Sequence, residues 1–157
     1  MSNENHQATP AAVPLAPHLT IAGARAALDF YERAFAARSG YVQETPDGRI
    51  MHADLHLPNG GVFFLCDDFP DMGGSRSPTT LGGSPVTIHL ELPNVDDVWK
   101  RAVSAGAKVE MELADQFWGA RYGVLSDPFG HRWSLATQKR DVSRSELDNA
   151  AQGFGKK

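Results

Sequence analysis

The chain has 157 residues, of which 41% are hydrophobic and 22% charged, a composition typical of one folded domain of ordinary size. Fifteen Lys and Arg against 19 Asp and Glu give a net charge of −4, and no run of like charges favours nucleic acid or an anionic membrane as a partner. The longest wholly apolar run, 62–66, is far shorter than the roughly 20 residues that span a bilayer.

The first residues of the chain carry no structural pattern. Residues 1–13 mix Asn, Gln, Ala, Thr and Pro without periodicity, and they predict a disordered tail. This stretch has neither the basic region nor the apolar core of a secretory signal. Cys66 is the single cysteine, so no internal disulfide is possible, and we expect a cytoplasmic protein in which Cys66 is a small core residue.

Residues 14–66 predict a first βαβββ module. Alternating apolar residues from Pro14 to Ile21 indicate a strand with one buried face, and the apolar positions of 24–35 recur at helical spacing. Three further strands are predicted at 41–44, 49–57 and 62–66, with Asp-Gly and Asn-Gly turns between them.

The same order of elements returns after a connector at 67–83, which is rich in Gly, Pro, Ser and Thr and predicts a loop. Residues 84–137 predict a second module, with a strand at 86–92, a helix from Val95 to Gly106, and strands at 108–112, 121–126 and 131–137. In the tail, 138–157, the sequence Ser143-Arg-Ser-Glu146 is a capping box and predicts a short helix.

Strand alternation assigns side chains to two faces of each sheet. One helix covers only one face of its sheet, so the other face stays open, and two modules together would curve around a shared cavity. The residues predicted to face the helices are Leu19, Ile21, Ile88, Leu90, Leu92, Met51, Ala53, Leu55 and Leu57. Those predicted on the open faces are His18, Thr20, Thr87, His89, Glu91, His52, Asp54 and His56.

Several motifs resemble the vicinal oxygen chelate superfamily, which includes glyoxalase I, extradiol dioxygenases and bleomycin-resistance proteins. The motifs are Asp29-Phe30-Tyr31 in the first helix and the final hairpin 127–135, with the sequence DPFGHRWSL. Segments 47–55, 68–74 and 115–119 are similar to the PhnB-like branch. The resemblance implies an α+β fold in which two βαβββ modules form a curved mixed sheet around a cavity, with the helices on the outer face, and it implies a homodimer.

The resemblance also bears on metal binding. In metal-dependent members, each module supplies one ligand from its first strand and one from its last. The matching positions here are Ala16, Thr87, Phe64 and Ser134, none of which is a good ligand for a divalent metal, so we expect no cofactor at the usual position. A displaced divalent metal site formed by His18, His89 and Glu91 is the alternative.

Three functions therefore remain open at the level of sequence. The first is a small-molecule binding protein whose pocket is lined by His18, His89, Glu91, Trp118, Tyr122, Arg132 and Ser134, with aromatic walls and a few polar anchors. In it, the Trp118 loop would be a movable cover. The second is a metal-dependent lyase, isomerase or dioxygenase using His18, His89 and Glu91. The third is metal-free acid/base catalysis by His89 with Glu91.

Overall fold

A computed structural model describes residues 13–153, so the predicted disordered tail, apart from Val13, lies outside the described residues. The first module consists of β1 (His18–Ile21), α1 (Ala24–Phe35), β2 (Arg38–Glu44), β3 (Ile50–His56) and β4 (Val62–Asp67). Its strands form a sheet in the order β1-β4-β3-β2, with β1 parallel to β4 and the other pairs antiparallel. We call this four-stranded sheet the first sheet.

The second module repeats this arrangement. The connector contains the short helix α2 (Pro78–Leu81). It is followed by β5 (Thr87–Glu91), α3 (Val95–Ala105), β6 (Lys108–Asp115), β7 (Ala120–Ser126) and β8 (Arg132–Gln138). The second sheet has the order β5-β8-β7-β6, again with one parallel pair, β5 with β8. A last helix, α4 (Arg144–Ala151), begins at the predicted capping box. The α+β fold with two βαβββ modules is confirmed.

The two modules match each other in detail as well as in order. The β3–β4 turn and the β7–β8 turn make the same backbone hydrogen bonds, Leu57 N–H to Gly61 O and Asp127 N–H to His131 O. Gly60 and Gly130 occupy the same turn position with φ of 88° and 89°. Because the turns coincide, Asn59 in the first module corresponds to Phe129 in the second.

In each module, the first backbone N–H of the central helix donates a hydrogen bond to a side chain at the end of the last strand. The Ala24 N–H donates to Asp67 Oδ1 over 2.9 Å, and the Val95 N–H donates to Thr137 Oγ1 over 2.8 Å. Counting from these shared starting points, Phe30 in α1 corresponds to Arg101 in α3. The repeat is therefore one of hydrogen bonding as well as of element order.

The helix-covered faces of both sheets share one core. The fully buried Trp133 of β8 contacts Phe63 of β4 and Tyr31 and Phe35 of α1, with ring centroids 4.9–5.6 Å apart. Helix α1 also packs against α3. Neither module therefore completes its core alone, which is expected because about 50 residues bury too little apolar surface.

Three sequence predictions need correction. Met51, predicted to face the helix, is instead 46% exposed. Gln43 pairs with His52 and Glu44 pairs with Ile50, so Met51 is the extra residue of a β-bulge between these two pairs. Strand β2 begins at Arg38 rather than at Tyr41, since pairing with β3 extends it through residues that lack apolar alternation. The connector, predicted as a loop, contains a 3₁₀ turn at Pro70–Met72 and the four-residue α2.

Candidate functional site

His89 lies at the centre of a hydrogen-bonded row on the open face of the second sheet. Strand β5 runs parallel to β8 with His89 beside Ser134, which places both side chains on the face opposite the helices. Ring atom Nδ1 lies 2.8 Å from Ser134 Oγ, and Nε2 lies 3.0 Å from Glu91 Oε1. In the tautomer with its hydrogen on Nε2, the ring donates Nε2–H to the Glu91 carboxylate and accepts the Ser134 hydroxyl at Nδ1.

An aromatic row extends from this histidine. The Tyr122 ring stacks on the His89 ring at 6.2 Å with an interplanar angle of 22°. Trp118 contacts Tyr122 edge to face at 5.5 Å, and Phe117 contacts Trp118 in the same way at 4.9 Å. The row offers ring faces and edges to a planar ligand, with the polar groups of His89 at one end.

Small buried residues form the floor beneath these rings. By register, Tyr122 pairs with Ala136, and Val124 pairs with Ser134, so all four belong to the open face. Val124 and Ala136 are each 1% exposed although they lie outside the core shared by the two modules. They are buried on the open side of the sheet. The face is therefore a shallow surface with an apolar floor and an aromatic wall.

The turn that carries Trp118 is hydrogen-bonded to the segment that follows β8. The Gly119 carbonyl accepts hydrogen bonds from the N–H groups of Lys139 and Arg140. A side chain at Gly119 would lie 2.3 Å from the Arg140 carbonyl oxygen, so only glycine allows this close approach. The Trp118 turn therefore lies against the segment that follows β8, and its role as a movable cover stays a prediction.

Arg132 lies at the edge of the same face. Its Nη1 donates to Thr87 Oγ1 over 2.7 Å, and it precedes Ser134 by two residues on β8. The structure therefore brings six predicted site residues onto one sheet face: His89, Glu91, Trp118, Tyr122, Arg132 and Ser134.

His18 belongs to a different group, on the open face of the first sheet. Its ring lies 6.0 Å from the His52 ring and 6.1 Å from the Phe64 ring, and Tyr41 contacts His52 at 6.4 Å. The same face carries a pair formed by Asp54 and His56, to which the sequence assigns no role. The buried Asp54 accepts a hydrogen bond from the Tyr41 N–H and lies 2.7 Å from His56 Nε2. Only the alternation of 52, 54 and 56 on β3 hinted at this pair.

The part of the chain that the structure describes brings together no set of ligands for a divalent metal. Across residues 13–153, no group of three His, Cys, Asp or Glu side chains is placed to hold an ion, so His18, His89 and Glu91 do not form the alternative metal site. At the four positions implied by the family resemblance, alanine and phenylalanine offer no donor atom and threonine and serine offer only hydroxyls. No chemical step through a metal follows from this arrangement.

Cys66 lies on β4 beside Thr20 of β1 and is half-buried. Partial burial raises the pKa of the Cys66 thiol, with nearby Asp67 and Asp68 acting in the same direction and a hydrogen bond with Thr20 opposing them. The thiol is therefore protonated at neutral pH, which does not favour a nucleophile. Cys66 is not the core residue that the sequence predicts, because it lies outside the shared core, on the face of β4 opposite Phe63 and Leu65.

The environment of His18 predicts a measurable pH effect. Partial burial, and then the nearby His52 ring, lower the pKa of His18 below its ordinary value of 6.5. Because the unfolded chain binds this proton more tightly, the stabilising contribution is complete above pH 6.5 and declines as the pH falls through the pKa of the folded state. We expect NMR titration to place the His18 midpoint below 6.5, and His52→Ala to move it upward.

His56→Ala is the matched control for this titration, since the polar contact of His56 is with Asp54 rather than with His18. A His18 midpoint that stays at 6.5 or above in the wild-type chain would contradict the described environment.

Two βαβββ modules with a shared core, each with an open sheet face that carries polar and aromatic side chains, define a fold of the vicinal oxygen chelate class. The chain belongs to the Glyoxalase/Bleomycin resistance protein/Dioxygenase superfamily, which matches residues 15–135. It is 48% identical over 143 residues to the uncharacterized protein Mb0911c of Mycobacterium bovis, covering 90% of this chain and 93% of that protein.

Two solved structures share the fold. The PhnB protein from Bacillus cereus, described as a putative 3-demethylubiquinone-9 3-methyltransferase, is 18% identical with a TM-score of 0.61, over 80% of this chain and 99% of the other. The fosfomycin resistance protein FosX from Listeria monocytogenes, complexed with Mn(II) and sulfate, is 13% identical with a TM-score of 0.59, over 87% and 98%. Within residues 13–153, no helix is long and apolar enough to cross a membrane.

Proposed function

We propose that the protein binds a planar small molecule on the open face of its second sheet, without a metal at the usual family position. The observation that carries this proposal is the combination of a hydrogen-bonded His89, Ser134 and Glu91 with the ring faces of Tyr122 and Trp118 over a small-residue floor. Ligand pockets typically combine such apolar walls with a few placed polar groups.

At the polar end of this site, the hydrogen bond between His89 and Glu91 can be replaced by one between His89 and a ligand. The side chains of His89 and Glu91 are 45% and 60% exposed, so the hydrogen bond between them contributes little to stability and a ligand group replaces Glu91 at small cost. Ser134, in contrast, is buried and holds the ring in place through Nδ1. A ligand that offers an acceptor to Nε2–H therefore takes the place of Glu91 while its ring stacks along Tyr122 and Trp118.

A second copy of the chain is the proposed cover for these shallow faces. Tyr41, on the first sheet, is 48% exposed, and Met111, which pairs with Val124 on the second, is 40% exposed. Large apolar side chains on an open sheet face are typical of interfaces. A homodimer in which two copies bury these faces supports an enclosed pocket, and the lone Cys66 supports placing it in the cytoplasm.

Binding is tested with tryptophan fluorescence and calorimetry against a panel of planar aromatic and antibiotic-like compounds. We expect at least one compound to quench Trp118, and we expect His89→Ala and Trp118→Ala each to weaken it about tenfold, the scale of one stacking or hydrogen-bonding contact. Trp99 and Trp133 lie in the shared core, so we expect the ligand to leave their fluorescence unchanged, and it provides the internal reference.

His56→Ala on the first sheet is the matched control for His89→Ala and leaves a ligand held by the second sheet alone unaffected. Absence of binding across the panel, or binding that ignores both site variants, would overturn the proposal. Sedimentation velocity on the same samples tests the second copy, since a monomer at all concentrations contradicts the dimer.

Acid/base catalysis on a bound ligand is the second candidate function. The row from Ser134 through His89 to Glu91 favours it, because a carboxylate that orients an imidazole is a common way to prepare a general base. Mass spectrometry of each bound compound after incubation tests this candidate, with His89→Ala as the inactive comparison. Unchanged compounds throughout would leave binding as the whole function.

A further inference from the structure

A cavity of about 140 Å³ lies at the junction of the two modules, away from the open faces. Its wall is formed by the end of α1, the β3–β4 turn, the end of β5 and the outer side of α3. The main lining residues are Phe35, Leu57, Leu90, Leu92, Val98 and Arg101. Leu90 lies on β5 between His89 and Glu91, so its side chain is on the opposite face of the strand from the candidate site.

The internal repeat shows what this cavity lacks. At the matching junction, Phe30 of α1 contacts Phe129 of the β7–β8 turn, with ring centroids 6.0 Å apart at 74°, and Phe30 is 2% exposed. The corresponding residues at the cavity are Arg101 for Phe30 and Asn59 for Phe129. Two phenyl rings fill one junction, whereas the other has two polar side chains at its rim and an apolar space behind them.

The rim carries an unused positive charge. Asn59 is held in place, because its Nδ2 donates to the Glu91 carbonyl and its Oδ1 accepts from the Gly61 N–H. The guanidinium of Arg101, in contrast, has neither a hydrogen bond nor an ion pair with any of residues 13–153. An arginine at the mouth of an apolar space is a ready partner for a carboxylate.

We propose that this junction cavity binds a small monocarboxylate with an aromatic or short aliphatic body, the apolar part taking the space that Phe30 and Phe129 fill in the other half and the carboxylate pairing with Arg101. The volume supports this class of ligand, since an apolar protein cavity of about 150 Å³ holds benzene. The inference is independent of the proposed function, because the two sites lie on opposite faces of β5.

The test follows the labelled methyl groups of Leu57, Leu90 and Val98 by NMR during titration with benzoate, benzyl alcohol or acetate. We expect benzoate to shift these methyls and acetate to leave them unchanged, because acetate lacks the apolar body. Arg101→Gln weakens benzoate about tenfold, the scale of one charge-assisted hydrogen bond, and leaves benzyl alcohol unaffected. Lys100→Gln, with the same change of charge on the same helix, is the matched control.

A double variant, Asn59→Phe with Arg101→Phe, copies the phenylalanine pair of the other junction. It should fold with an unchanged or higher Tm and lose benzoate binding, because the space is filled. The proposal is overturned if benzoate shifts none of the three methyl groups in the wild-type chain, or if Arg101→Gln and Lys100→Gln bind it equally. Both of these results are measured on the wild-type chain and the single variants, so the proposal can be overturned even if the double variant does not fold.

Discussion

Asp127→Ala is expected to lower the free energy of unfolding by about 3–5 kcal/mol, the cost of removing a buried carboxylate from the donors around it. Asp127 is 5% exposed and accepts four hydrogen bonds. Two come from the Tyr31 hydroxyl at 2.7 Å and Trp133 Nε1 at 2.8 Å, and two from the backbone N–H groups of Phe129 and His131, each at 2.9 Å. Urea denaturation followed by circular dichroism measures the change.

The hydroxyl of Tyr31 remains a donor throughout the accessible pH range. Complete burial, reinforced by the Asp127 carboxylate, raises the pKa of Tyr31 well above its ordinary value of 10.0. Tyr31→Phe, which removes only this donor, should therefore cost about 1–2 kcal/mol. Asp141→Ala, at an exposed position, should change stability by less than about 0.5 kcal/mol. Equal losses for Asp127→Ala and Asp141→Ala would contradict the described network.

Asp67→Ala is expected to cost about 2–4 kcal/mol, because the carboxylate holds three backbone N–H groups at once. Its Oδ1 accepts from Gly23 at 3.2 Å and from Ala24 at 2.9 Å, which starts α1, and its Oδ2 accepts from Ile50 at 2.7 Å, which starts β3. The residue is 9% exposed, so water cannot replace these bonds freely. Denaturation in urea again gives the size of the loss.

Thr137→Val is the comparison that the internal repeat provides for Asp67→Ala. Thr137 has the same place at the end of β8, but its hydroxyl accepts from only one backbone N–H, that of Val95, and donates to the Leu92 carbonyl. We expect this variant to cost about 1–2 kcal/mol, because it removes two neutral hydrogen bonds. If Thr137→Val proved as damaging as Asp67→Ala, the number of backbone donors would not explain the difference between the two modules.

Local patterns predicted the fold because each element carries its own signal. Leu19 and Ile21 alternate with polar residues, Asn59-Gly60 specifies a tight turn, and Ser143 with Glu146 begins α4 as expected. The patterns did not predict the bulge at Met51, since a bulge is defined by pairing across strands and not by the residues within one strand. The start of β2 at Arg38 depends on the same partner strand.

The candidate site was predictable in part. Alternation placed His89 and Glu91 on one face, and parallel pairing with β8 then brings Ser134 beside them. The separation of His18 from this group was not predictable, because it depends on how the two helix-covered faces join in one core. The floor residues Val124 and Ala136 gave no signal either, since small apolar residues occur on either face of a strand.

The contact between Asp127 and Tyr31 also determines how the molecule comes apart. This carboxylate joins α1 of one module to β8 of the other inside a core that neither module can complete. When either half loosens, charge and apolar surface in the other half become exposed together. We therefore expect unfolding to be a single cooperative event, in which the slowest-exchanging amide protons are shared by both modules rather than confined to one of them.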